Sequence, residues 1–88
     1  MKKLAKFFKA CGNINRLKII KYLSGRRDSA SVGMISDAVD CSYKATSKHL
    51  AILFANDIVD REQAGYEMHY RVIDKSRSEV AILLKLLG

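Results

Sequence analysis

The apolar residues of this chain change their spacing twice, and this change constrains the fold more than any other feature. Up to about residue 55 they recur every three or four positions, which is typical of helices. From residue 58 to 73 they alternate with polar residues, which indicates two β-strands, and from residue 76 the helical spacing returns. We therefore predict a single domain over residues 1–88, mainly α-helical, with a small β-hairpin before the last helix.

The segment before the hairpin contains two pairs of helices. Asn13 is the predicted N-cap of the second helix, which ends near Ser24. Ser31-Val32 forms at most a short strand, and a third helix follows it. Ser42 is the predicted N-cap of the fourth helix, which ends near Ala55. The stripe predicted for the third helix is Met34, Ile35, Ala38 and Val39. The buried face predicted for the fourth is Thr46, Leu50 and Leu53, with Phe54 or His49.

The hairpin follows the fourth helix directly. Its strands are predicted over residues 58–63 and 66–73, and Ala64-Gly65 joins them. The residues predicted to share one side of the second strand are Tyr66, Met68, Tyr70 and Val72. Two helices around a short turn, about residues 33–55, form a helix-turn-helix, and the hairpin at about 58–73 adds a wing. The predicted architecture is therefore a winged helix-turn-helix.

The two terminal helices, at about residues 2–11 and 76–87, carry more apolar surface than a core of this size needs. Ser76 is the predicted N-cap of the last helix, and Lys85 is the one polar residue between Val80 and Leu87. We expect both helices to form the interface of a homodimer. The residues predicted at this interface are Leu4, Phe7, Phe8, Val80, Leu83, Leu84 and Leu87.

The net charge is +7, from 16 lysines and arginines against 9 acids, and it is unevenly distributed. Residues 1–30 hold nine of the cations and a single acid, whereas residues 31–60 have a net charge of −2. Such an excess favours an anionic partner, with nucleic acid first and a membrane surface second. The first helix carries four lysines, Lys2, Lys3, Lys6 and Lys9. They either steer DNA toward the protein or form a solvated helix face that keeps the dimer soluble.

Several classes of protein are excluded by what the sequence lacks. Cys11 and Cys41 are too few for a disulfide framework, and no signal peptide is recognisable, so we expect a cytoplasmic protein. The apolar runs, Val80–Leu84 among them, are all far shorter than the roughly 20 residues of a membrane span. Neither His49 nor His69 has a partner at metal-ligand spacing. We predict no enzyme activity, no metal and no cofactor.

Three stretches of the chain resemble the ArsR-type winged-helix regulators, a family of small dimeric repressors. They are Lys9-Ala-Cys-Gly-Asn-Ile-Asn-Arg-Leu-Lys-Ile-Ile, Ser42-Tyr-Lys-Ala-Thr-Ser-Lys-His-Leu-Ala-Ile-Leu and His69-Tyr70-Arg71. Together they extend over nearly the whole chain in the order that the family has. The resemblance implies a homodimeric regulator of transcription, a repressor, that binds double-stranded DNA sequence-specifically with a recognition helix at about residues 42–55.

The resemblance also implies which residues touch DNA. On the recognition helix they are Tyr43, Lys44, Ser47 and Lys48, and on the wing they are Arg61, Gln63 and Arg71. Lysine and serine can bind base edges or phosphates. Arg16 and Lys18, near the start of the second helix, could add phosphate contacts.

The chain departs from the family at the positions that sense a signal. Ser31 and Gly33 stand where the metal sensors of the family have a Cys-x-Cys pair, and the last helix contains no histidine. We therefore expect no metal sensing there, and no inducer follows from the sequence. Two alternatives stay open: a protein-interaction module that does not bind DNA, and a thiol-redox switch through Cys41, whose position at a helix N-terminus can lower a thiol pKa.

Overall fold

The computed structural model describes residues 2–73 and 77–87. Five helices surround a small three-stranded sheet in the order that the sequence predicted. The elements are α1 (Lys2–Cys11), α2 (Ile14–Ser24), β1 (Ala30–Ser31), α3 (Val32–Val39), α4 (Tyr43–Ala55), β2 (Val59–Ala64), β3 (Glu67–Val72) and α5 (Arg77–Leu87). The predicted winged helix-turn-helix is confirmed, with α3 and α4 as the helix pair and β2–β3 as the wing. The predicted cap at Ser76 lies outside the described residues.

Side-chain caps define where the helices begin. The Asn13 side chain accepts hydrogen bonds from the backbone amides of Asn15 and Arg16 at the start of α2. Ser42 Oγ accepts from the amide of Ala45 at the start of α4. Each cap satisfies amides that a helix leaves unpaired in its first turn, so both predicted caps are confirmed.

Ser31 belongs to two elements at once. It pairs with His69 on β3, and its hydroxyl accepts from the amide of Met34 and so caps α3. The short strand predicted at Ser31-Val32 therefore lies one residue earlier, because Val32 is already the first residue of α3. The strand order is β1-β3-β2, and both pairs are antiparallel.

Two aspartates end α3 and α4 in the left-handed backbone conformation. Asp40 has a φ of 53° and Asp57 a φ of 58°. At the second site the amide of Ile58 donates to the carbonyl of Leu53 (3.0 Å), and the amide of Asp57 donates to that of Phe54 (3.1 Å). This is the Schellman arrangement, in which glycine is most common and aspartate is tolerated.

The core lies between α2, α3, α4 and the inner face of β3. Its fully buried members are Ile19, Ile20, Leu23, Ile35, Thr46, Leu50, Leu53, Ile58, Val59, Val72 and Val80. The buried face predicted for α4 is confirmed, with Phe54 and His49 at its half-buried edges. Among the described helices, none is long and apolar enough to cross a membrane.

Two details of the predicted core are wrong. The stripe on α3 is Val32, Ile35, Ser36 and Val39, because the helix starts at Val32; Met34 and Ala38 are exposed. Tyr66 lies in the turn at the tip of the wing with Gly65 and is fully exposed. The other three residues predicted on its side of β3 are buried or half-buried.

Candidate nucleic-acid interface

The helix α4 buries one face and exposes the other. Thr46, Leu50 and Leu53 are inaccessible to solvent and recur at three- and four-residue spacing, so the opposite face of α4 is left to solvent. The exposed residues there are Tyr43, Lys44, Lys48 and Ala51, and Ser47 is half-buried. The structure therefore places the four residues predicted to contact DNA on the first two turns of α4. A recognition helix reads base edges with these turns.

Arg16 joins three helices at the back of α4. Its Nε donates to the carbonyl of Ala10 at the end of α1 (2.6 Å), and its Nη1 lies 3.3 Å from His49 Nδ1 on α4. Since an arginine only donates, His49 Nδ1 is the acceptor. Burial lowers the pKa of His49, and the positive charge of Arg16 lowers it further. Arg16 is thus occupied by internal contacts and is less available to a phosphate than the sequence suggested.

The three wing residues predicted to contact DNA do not share one face of the sheet. Residues paired directly across antiparallel strands point to the same side. Arg61 pairs with Tyr70 and Gln63 with Met68, so both point to the side of the core. Arg71 pairs with Asp60 and points to the opposite, outer side.

The two residues on the core side make contacts of their own. The Arg61 guanidinium lies 3.9 Å from the centre of the Phe54 ring, across the junction between α4 and β2. Gln63 Nε2 donates to the carbonyl of Gly65 at 2.9 Å, which ties strand β2 to the turn of the wing. Gly65 has a φ of 65°, which glycine adopts without strain.

A polar crevice of about 310 Å³ lies beside the wing. It is lined by Arg27, Asp28, Ser29, Asp60, Arg61, Glu62, His69 and Arg71. Of its arginines, Arg27 and Arg71 lie beside three carboxylates, whereas the Arg61 guanidinium is on the other side of the sheet over Phe54. Arg71 consequently attracts a phosphate less strongly than an isolated arginine would.

The terminal helices leave apolar side chains exposed. Phe8 on α1 is 53% exposed, and Ile82 and Leu86 on α5 are 62% and 78% exposed. Phe7 and Val80, which the sequence predicted at a dimer interface, lie instead in the core of the same chain. Leu83 and Leu84 are half-buried against that core, and the side chains of Leu4 and Leu87 lie outside the described part.

The two cysteines differ in their surroundings. Burial raises the pKa of the Cys11 thiol to about 11, because desolvation outweighs the positive charge of Arg16. A thiol with this pKa is protonated at neutral pH and unreactive. Cys41 is half-buried in the turn between α3 and α4, and both thiols are free. Over residues 2–73 and 77–87, no three His, Cys, Asp or Glu side chains come together as a candidate metal site.

Sequence reasoning missed two features of this surface. The stack of Arg61 on Phe54 joins residues seven positions apart, and it depends on the reversal of the chain at Asp57. Arg27 reaches the wing because β1 adds to the sheet beside β3. The sequence contains a sign of the first feature, because aspartate tolerates the left-handed backbone conformation that reverses the chain at Asp57. No local sequence pattern indicates that Arg27 reaches the wing.

The fold and the exposed recognition helix define the class, a winged helix-turn-helix regulator. The family model for bacterial regulatory proteins of the arsR family matches residues 13–61, from the cap of α2 into β2. This is more than half of the chain, which therefore belongs to the arsR family and is a DNA-binding regulator of transcription. The resemblance noted in the sequence is thereby confirmed.

Solved structures with the same fold were found in several bacteria. Reduced HlyU from Vibrio cholerae is 27% identical, with a TM-score of 0.83 over 97% of this chain and 88% of that one. The homodimeric winged helix-turn-helix DNA-binding domain Mb0332 from Mycobacterium bovis is 22% identical, with a TM-score of 0.82 over 98% and 78%. The transcriptional repressor BigR from Xylella fastidiosa is 21% identical, with a TM-score of 0.81 over 97% and 83%. No curated protein sequence matches the chain significantly.

Proposed function

We propose that two copies of this chain form a homodimer that binds a pseudo-palindromic DNA site and represses transcription. The exposed face of α4 carries the proposal: Tyr43, Lys44 and Lys48 project from a helix whose other face is fully buried. In a dimer, two such helices enter successive major-groove segments about 34 Å apart. Repression follows when the bound dimer occludes a promoter. We place this activity in the cytoplasm, without catalysis.

The proposed dimer interface is the exposed part of the terminal helices. Phe8, Ile82 and Leu86 are large apolar side chains left in solvent on α1 and α5. Both helices pack on α2, which is their common support. Mb0332, which has this fold, is homodimeric. Burial of these side chains against a second copy would remove the exposed apolar surface from water.

A selection from random double-stranded DNA tests the proposal most directly. The purified chain should enrich a sequence with two inverted half-sites about one helical turn apart. Lys48→Ala should weaken binding to the enriched duplex without changing the urea midpoint of unfolding. Enrichment of no duplex, or of single half-sites by a monomer, would contradict the proposal.

A second candidate function, recognition of a protein, is favoured by the net charge of the helix-turn-helix and the wing. Residues 32–73 have a net charge of −2, from Lys44, Lys48 and two wing arginines against six acids. DNA affinity from phosphate contacts falls steeply with salt. An affinity for the enriched duplex that barely changes with salt would therefore favour the protein-interaction function over DNA repression.

A further inference from the structure

The wing projects from the molecule with little apolar support. In β2 Val59 is buried, and every residue from Asp60 to Ala64 is exposed. Beyond Val59 this strand is therefore held by its pairing with β3, whose Tyr70 and Val72 are buried, and not by burial of its own side chains. A contact between side chains of the wing and the recognition helix would add to this pairing in setting the angle of the wing.

Backbone hydrogen bonds hold the junction in two places, at the turn where the chain leaves α4 and along the ladder between β2 and β3. The left-handed Asp57 and the hydrogen bonds from the amides of Asp57 and Ile58 fix the turn, and Ile58 is fully buried beside Leu53. Arg61 lies three residues beyond this turn, and a hairpin twists and bends readily over such a distance. The Schellman turn therefore sets the start of β2 and the ladder holds β2 on β3, while a contact between the wing and α4 can still adjust the angle between them.

The stack of Arg61 on Phe54 is such a contact. Phe54 is half-buried on the last full turn of α4 and packs against the core, so its ring is a fixed platform. The Arg61 guanidinium lies 3.9 Å from the centre of that ring. At this distance the planar cation is in van der Waals contact with the ring and is attracted to its π-electrons. One side-chain pair thus bridges the recognition helix and the wing.

The surroundings of Arg61 favour a role through Phe54 over a direct contact with DNA. The Phe54 ring covers one side of the guanidinium. Arg71, on the outer side of the sheet, has no such ring over it among the described residues.

We propose that Arg61 is a positioning residue, which sets the direction of the wing relative to the recognition helix by stacking on Phe54. The wing and α4 can then reach the same duplex without a search over wing orientations. This inference rests on the proposed function, because it concerns how the dimer presents two elements to DNA. It goes further by assigning a role to Phe54, an apolar side chain with no charge or hydrogen-bond donor for a phosphate.

The test compares variants of Phe54 on two labelled duplexes. The long duplex carries the site that the wild-type chain enriches from random DNA, with the flanks that the wing covers. The short duplex ends at the outermost major-groove contact of α4. Phe54→Leu removes the ring, and we expect it to weaken binding to the long duplex about fivefold, the worth of one exposed cation–π contact. Binding to the short duplex should not change.

Three further variants make the result specific. Phe54→Tyr keeps an aromatic ring and should bind both duplexes like wild type. Arg61→Gln should reproduce the loss on the long duplex, and the Phe54→Leu, Arg61→Gln double variant should be no weaker than Arg61→Gln alone. Phe54→Met, closer in volume to phenylalanine, repeats the test should Phe54→Leu fail to fold.

The possible outcomes separate the inference from the proposed function. If Phe54→Leu binds the long duplex as tightly as the wild-type chain, the positioning role of Arg61 is overturned. The proposed function stands in that case, because the wild-type chain still binds the duplex. An equal loss on both duplexes would also overturn the positioning role, because the damage would then lie in α4 itself. If the wild-type chain enriches no duplex, the proposed function fails, and the positioning role fails with it.

Discussion

The protonation of His49 is tied to folding. Burial and the charge of Arg16 lower its pKa, and its Nδ1 accepts a hydrogen bond from Arg16 that only the unprotonated nitrogen can accept. The unfolded chain therefore binds a proton more readily than the folded one. The free energy of unfolding should be level above the unfolded pKa of about 6.5 and should fall as the pH drops toward the folded pKa.

The histidine variants test this pH dependence. Urea unfolding of the wild-type chain, followed between about pH 5 and pH 8, should show the fall. His49→Gln should remove the part that His49 contributes. His69→Gln serves as the control, since His69 lies on the outer side of the wing, 3.9 Å from Glu67. This variant should keep the contribution of His49 to the pH dependence of the free energy of unfolding. A pH dependence that is the same with and without His49 would contradict the prediction.

Thr46 carries a polar atom in the core. Its side chain is fully buried, and its Oγ1 has no hydrogen-bond partner among the described residues. A buried hydroxyl without a partner costs about 1–3 kcal/mol relative to an apolar group of the same shape. Thr46→Val should therefore raise the free energy of unfolding by about 1 kcal/mol.

Urea unfolding of three proteins checks this prediction. Thr46→Ser keeps the hydroxyl and removes a methyl group, so it should lower the free energy of unfolding by about 1 kcal/mol. Should Thr46→Val be less stable than wild type, the hydroxyl would have to make a stabilising contact in solution.

At the scale of elements, the sequence predicted the features that depend on residues close together in the chain, such as the helix caps. Asn13 and Ser42 are polar residues just before apolar helical stripes, and both are caps in the structure. The register of α3 was missed because Ser31 can serve either as a strand residue or as a cap, and it does both. The pairing of β1 with β3 joins residues about 40 positions apart, and no local pattern encodes it.

The candidate DNA interface also contains residues that the sequence could place and residues that it could not. Lys44 and Lys48 follow from helical spacing, because their positions relative to Leu50 place them on the outer face of α4. Arg61 and Arg71 were assigned to one DNA-contacting set, whereas the pairing register places them on opposite sides of the sheet. A shift of register by one residue exchanges the two faces of a strand, so this assignment required the structure.

The helix α5 should hold the homodimer together. Leu86 is 78% exposed, and in the proposed dimer it is buried against the second copy. Leu86→Glu would place a carboxylate in that interface and should raise the dimer dissociation constant at least tenfold. Sedimentation equilibrium measures this constant, and binding to the enriched duplex should weaken in parallel.

Ile14 provides a matched control for this substitution. It is 67% exposed at the start of α2, away from α5 in sequence, and Ile14→Glu should leave the dimer intact. An intact dimer in the Leu86→Glu variant would place the interface elsewhere.

At the scale of the whole molecule, the positive charge is concentrated outside the elements proposed to contact DNA. Residues 2–31 have a net charge of +8, whereas residues 32–73 have a net charge of −2. Lys6, Lys9 and Lys18 are exposed on α1 and α2. The lysines of these helices should therefore supply much of the long-range attraction to DNA.

Charge-neutral variants separate this attraction from sequence recognition. Lys6→Gln with Lys9→Gln should lower the association rate constant for the enriched duplex, and more so at low salt, with the same sequence preference. Lys44→Gln should change the preference itself. Stopped-flow fluorescence and a repeated DNA selection measure the two effects. An unchanged association rate in the first variant would assign the lysines to a solvated face.

Ser31 connects the sheet to helix α3, because it belongs to both. Its backbone belongs to the sheet beside His69, and its hydroxyl holds the first turn of α3. A tilt of β3, such as the pull of a DNA backbone on the wing would cause, would reach α3 through this residue, in addition to reaching α4 through the turn at Asp57. Ser31 thereby couples the wing to the first helix of the helix-turn-helix as well as to the second.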